Sequence, residues 1–215
     1  MTFNPDQSQL NALKTWNDKG DSIRHAVLGL TGEAGELIEL FKKHEYKPGF
    51  SWWSCKVCGK SIDNRAKSLN SESIIYSAKY FHTTNGCLNY TPLILDELGD
   101  YSYYLRILAY QKGVSFEELC KHGYIPGYEL DMLLAMLNEQ SGKALREYVE
   151  LGVAPGKTIL EYLSRIFLSV LVKLDTALQA VLDLNYKKLN SEATNHGWRN
   201  AKMKTIDDCP PMNPK

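Results

Sequence analysis

The chain has 215 residues, with 25 basic and 25 acidic side chains that cancel, so it can bury a core but carries no net field to hold nucleic acid or anionic lipid. No apolar run is long enough to span a membrane. Met1 to Asp6 lacks the charged-then-apolar layout of a secretory signal, and a soluble, cytoplasmic protein is expected.

Helical periodicity dominates from the start. Ser8 to Trp16 reads as a short helix entered through Asn4-Pro5-Asp6, with Pro5 pre-set for a first turn. Ser22 to Lys43 is longer, with Ile23, Val27, Leu30, Leu37, Ile38 and Phe41 mostly at three- and four-residue steps. From Lys47 to Pro92 the pattern breaks into Ser, Asn, Gly and aromatics, and three of the five cysteines fall there. Leu93 to Lys112 resumes the helical period, and Ser115 with Glu118 three residues on makes a capping box. Glu129 to Leu151, Thr158 to Leu174 and Asp175 to Glu192 complete the set. No segment alternates long enough to demand a sheet, so the fold class is all-α, a helical bundle. Residues 1–46 and 93–208 form the helical domain, 47–92 an insertion between two helices that belong together, and 209–215 a proline-rich disordered tail.

Two pairs of acids carry the chemistry. Glu33 and Glu36 lie three apart on the second helix, and Glu97 and Asp100 repeat that spacing on the third, so each pair projects from one helix face. Packed antiparallel, the two helices bring four carboxylates to one patch, a repulsion that oxygen-seeking divalent cations resolve. Gly29, Gly32, Gly35 and Gly99 stand beside them, each costing about 1 kcal/mol against alanine in a helix, which points to close helix approach or room for a ligand. The plain alternative is two solvated amphipathic faces. Against it, both pairs lie in apolar stretches, are flanked by glycine and lack basic partners in the next turn. A di-iron bundle would need histidine three residues after a glutamate, and no histidine stands there.

The stretch from His25 through Gly32-Glu33-Ala34-Gly35-Glu36 to Glu39, then Glu97-Leu98-Gly99-Asp100 to Leu105, resembles the two acidic helices of the MazG-like all-α nucleoside triphosphate pyrophosphohydrolases. Asn185-Tyr186-Lys187-Lys188-Leu189 is similar to the NxxKL of that family's last helix, and Gln9, Ala12 and Thr15 fit its weaker first-helix pattern. The resemblance implies two or three Mg²⁺ ions held by Glu33, Glu36, Glu97 and Asp100. It implies a water activated at the metals, with Glu36 or Glu33 taking its proton, and release of a nucleoside monophosphate and pyrophosphate. It also implies that Asn185 and Lys188 meet the substrate. Lys42 and Lys43 either neutralise the leaving group or complement a helix C-terminus, and Tyr104 or Tyr103 stacks on the base while at least one of them packs the core. Three departures stand out: Gly32 replaces a first glutamate, Glu192 replaces an arginine after NxxKL, and 60 residues separate Glu36 from Glu97. Removing 47–92 restores a short spacing. By family analogy the substrate is a deoxynucleotide of unspecified base. An all-α dUTPase-type enzyme and a non-catalytic, zinc-stabilised binding module are the rival functions.

In the second half, Gln140, Lys143, Tyr162 and Arg165 align with the acids of the first. A degenerate repeat standing in for a partner subunit competes with a coincidence of amphipathic rhythm, and a homo-oligomer stays open. Cys55-Lys56-Val57-Cys58-Gly59 has the shape of a zinc knuckle. Its completion by His82 and Cys87 into one structural Zn²⁺ site is weighed against a pair of reduced thiols in a loop. Gly156-Lys157-Thr158 is no P-loop, since Leu151 stands where the motif needs glycine.

Overall fold

Pro5 opens α1 (Pro5–Thr15), where a missing N–H costs nothing. The computed structural model describes residues 5–16, 21–56 and 92–193, and among these it contains seven helices and no strand. Asp21 caps α2 (Ser22–Tyr46), its carboxylate accepting from the Arg24 N–H at 2.9 Å, an interaction worth about 1 kcal/mol. Then come α3 (Leu93–Gln111) and the short α4 (Phe116–Lys121). The expected Ser115 cap is present at the start of α4, with the Glu118 N–H donating to its hydroxyl at 3.0 Å. Helix α5 (Leu130–Leu151) stops at Gly152, whose φ of 67° is left-handed and free of strain without a Cβ. Helices α6 (Lys157–Lys173) and α7 (Leu178–Ala193) finish the order.

Helix α2 packs along α3 on one side and α5 on the other, while α6 packs on α5 and α3, making a four-helix centre. Helix α7 lies on α3 and α1, and α4 on α6 and α1. Helix α3 therefore touches neighbours on nearly every side. Ile94, Leu95, Leu98, Tyr101, Leu105, Ile107 and Leu108 are fully buried on it, each contributing about 1.5–3 kcal/mol through removal from water. The same encirclement buries α3's polar residues, which overturns a solvated-face reading of its acids. The α5–α6 pair does pack against α2 and α3, as an internal repeat requires. Lys143, however, pairs with Glu139 at 3.0 Å on an exposed surface.

Part of the expected insertion belongs to the bundle. Trp52 and Cys55 are buried, and Trp52 joins the main core, with His44 stacked on it at 4.4 Å. The Leu93 N–H donates to the Ser54 carbonyl at 3.1 Å and the Ile94 N–H to the Trp52 carbonyl at 3.0 Å, and Cys55 forms an antiparallel bridge with Pro92. The chain thus re-enters the bundle beside the point where it left. Cys58, His82 and Cys87, the expected zinc partners of Cys55, lie outside the described residues, as does 194–215. No described helix is long and apolar enough to cross a membrane.

Candidate metal centre

Packing of α2 on α3 brings the two acid pairs together. The carboxylate oxygens of Glu33, Glu36 and Glu97 can all lie within 4.8 Å of one another, and so can those of Asp96, Glu97 and Asp100. Glu97 belongs to both groups, so five acids form two overlapping clusters, an arrangement that suits more than one ion. Neither cluster includes a residue of α5 or α6. Asp96, 5% exposed, is the acid that the spacing argument passed over. It stands four residues before Asp100, on the same face of α3, and that interval was the available signal.

The glycines divide into two kinds. A Cβ on Gly29 would sit 2.4 Å from the Tyr104 ring, and one on Gly99 would sit 3.1 Å from Asn185 Cβ, so these two permit close packing of α3. Gly32 and Gly35 face open space with nothing within 4 Å. Beside Glu33 and Glu36, therefore, the surface is bare enough for a ligand to approach.

The acids are poorly accommodated as bare anions. Burial, then the charges of Asp100, Glu97 and Glu36, pushes Glu33 up to about 9. Burial and then Asp96 push Glu97 up to about 7, with Lys56 pulling the other way. Asp100 is also raised, by burial first, against the pull of Lys188. Each shift means that the folded chain favours a proton, or another cation, at that carboxylate. Oxygen-only donors, shared between two clusters and short of positive charge, fit a hard divalent ion.

Two lysines supply part of that charge. Lys188 on α7 is hydrogen-bonded to Asp100 Oδ2 and paired with Asp96 Oδ1 at 3.2 Å, while Lys56 binds Asp96 Oδ2. Burial works against charge on Lys188, but Asp100 and Asp96 outweigh it and hold the ammonium above its ordinary range. Asn185, expected to meet substrate, is buried here: its Nδ2 donates to Asp100 Oδ1 at 3.1 Å and its Oδ1 accepts from Arg106 at 2.7 Å. Arg106, 2% exposed, also donates to the Ser8 and Ser102 carbonyls at 2.9 and 3.1 Å. It is the innermost member of the site, and nothing in its spacing announced it. Burial lowers it to about 10.

Lys42 and Lys43 stand roughly 9–11 Å along α2 from Glu36, at 1.5 Å per residue, and both pair with Glu39 at 3.3 and 3.6 Å. They lie apart from the carboxylate clusters. Tyr103 is buried, whereas Tyr104 is half-exposed, and its ring meets Trp16, His25 and Tyr103 at centroid distances of 6.3, 6.1 and 5.4 Å. Burial, with Glu33 and Asp100 nearby, pushes its hydroxyl up to about 12. An aromatic group thus borders the acids on the Gly29 side. Comparisons with protein-family models, curated proteins and solved structures each found no match to this chain.

Proposed function

We propose that the chain is a Mg²⁺-dependent hydrolase of the MazG-like kind, cleaving a nucleoside triphosphate to the monophosphate and pyrophosphate. The observation that carries this reading is the pair of overlapping carboxylate clusters on α2 and α3 joined through Glu97. Glu33, Glu36, Glu97 and Asp100 would hold the ions, with Asp96 behind them. Held there, Mg²⁺ would supply charge neutralisation for the phosphates and a more acidic water.

The chain's own residues do the rest. Asn185 and Arg106 hold Asp100 in one orientation. Glu36, the exposed acid of the set, would take a proton from water, with Glu33 half-buried one turn away. The open backbone at Gly32 and Gly35 admits a bulky anion beside them. Tyr104, with Trp16 and His25, offers aromatic surface on which a base can stack. A panel of ribo- and deoxynucleoside triphosphates incubated with Mg²⁺, with monophosphate and pyrophosphate resolved chromatographically, tests the reading. Equimolar release of the two from at least one nucleotide is expected. Binding without turnover across the panel would instead favour a non-catalytic module.

A further inference from the structure

We infer that Lys188 is a placeholder cation, standing on the Asp100 oxygen that a divalent ion needs and leaving it when the ion binds. This rests on the metal-site reading above and goes beyond it.

The two oxygens of Asp100 are held in different ways. Oδ1 accepts from Asn185, which is itself held by Arg106. Both are buried, and Arg106 is tied further to the backbone of α1 and α3. Moving that arm would strand buried donors, so it stays. Oδ2 accepts from the Lys188 ammonium, which ends a flexible four-carbon stem whose side chain is 18% exposed. Of the two arms, this is the one whose stem can swing.

Charge gives the motive. Five carboxylates are gathered in the two clusters and two lysines pair with them, at Asp96 and Asp100, so the ammonium offsets part of a negative excess that divalent ions would otherwise cancel. An ion bound at Asp100 repels an ammonium held at the same oxygen, and the two cations exclude each other there. Each ion taken up at this carboxylate therefore releases one lysine, whose charge is then available to an anionic ligand on the ions. Metal binding and lysine release form one exchange.

The experiment is a calorimetric titration of Mn²⁺, without nucleotide, into the wild-type chain and its Lys188→Met and Lys56→Met variants. Alongside it, acylation of Lys188 in the wild type by an amine-reactive ester is followed by peptide mass spectrometry with and without Mn²⁺. Removal of the competitor should tighten Mn²⁺ binding about tenfold in Lys188→Met and no more than about threefold in Lys56→Met, the difference being that only Lys188 shares an oxygen with the ion. Acylation of Lys188 should rise severalfold on metal addition. Equal tightening in the two variants would make the effect one of general charge and overturn the inference. So would Mn²⁺ binding to the wild type that leaves Lys188 protected. Failure of the wild type to bind Mn²⁺ at millimolar concentration would instead remove the metal-site reading itself.

Discussion

Replacing Glu33 with Gln should stabilise the metal-free protein at neutral pH. The folded chain holds Glu33 at about 9 against an ordinary value of 4.5, through burial and then the charges of Asp100, Glu97 and Glu36. Because the folded state keeps the proton that the unfolded chain gives up, stability is fully present below the ordinary value. It drains away as pH rises through the window up to about 9. Each unit in that window corresponds to about 1.4 kcal/mol, so at pH 7.5 the undiminished loss is about 4 kcal/mol. Water at the half-buried carboxylate and the charge shared with Glu97 cut this by about half, to roughly 2 kcal/mol. Glutamine cannot ionise and escapes the loss, so Glu33→Gln should melt about 4–8 °C above wild type at pH 7.5 in chelator. Urea denaturation from pH 5.5 to 8.5 in chelator provides the assay: wild-type stability should fall with pH and the variant's stay flatter. Saturating Mg²⁺ should then favour wild type. A variant no more stable than wild type at pH 7.5 would refute the claim that burial and the neighbouring acids burden this carboxylate.

Three further outcomes follow from the packing. Glu36→Ala and Asp100→Ala should each keep a native far-ultraviolet spectrum but lose at least about a hundredfold in hydrolysis; activity within tenfold of wild type would sink either assignment. Gly29→Ala should cost about 1–3 kcal/mol against the Tyr104 ring, while Gly35→Ala, facing open space, should gain about 0.5–1 kcal/mol; urea midpoints moving the same way would contradict the division of the glycines. Arg106→Met leaves the buried Asn185 Oδ1 without its donor, and should cost about 1–3 kcal/mol; a loss under 1 kcal/mol would show that water replaces the guanidinium.

What could be read ahead of the structure was whatever depends on neighbours along the chain. Pro5 and the Ser115–Glu118 box marked helix starts because first-turn residues and caps act within one turn. The acid pairs were visible because a three-residue step fixes a shared face. Asp96 offered only its four-residue step to Asp100, and Lys56 and Arg106 offered no local signal. Each acquires its role from an element distant in sequence: Asp96 from Lys188, Lys56 from the return of 51–56 onto α3, and Arg106 from Asn185 and Ser8. Asn185 was marked through a resemblance, but its burial follows from how α7 crosses Gly99, which no local pattern encodes. Trp52 was counted with the insertion because the composition around it is irregular, whereas its core position comes from the Ser54–Leu93 pairing.

That pairing has a consequence for how the bundle is closed. Residues 55 and 92 are backbone neighbours, so the 35 residues numbered 57–91 leave and return through a single seam. The spacing of α2 and α3, and with it the convergence of their acids, is set on the bundle side of that seam. Closing any flexible connection at such a seam costs entropy that grows only with the logarithm of its length, about 0.6 kcal/mol for each doubling. The described packing of α2 on α3, which brings Glu36 to Glu97, does not pass through that seam. The bundle is thus closed on itself at the point where the acidic helices are interrupted, and the seam is an edge of the site's frame rather than a part of it.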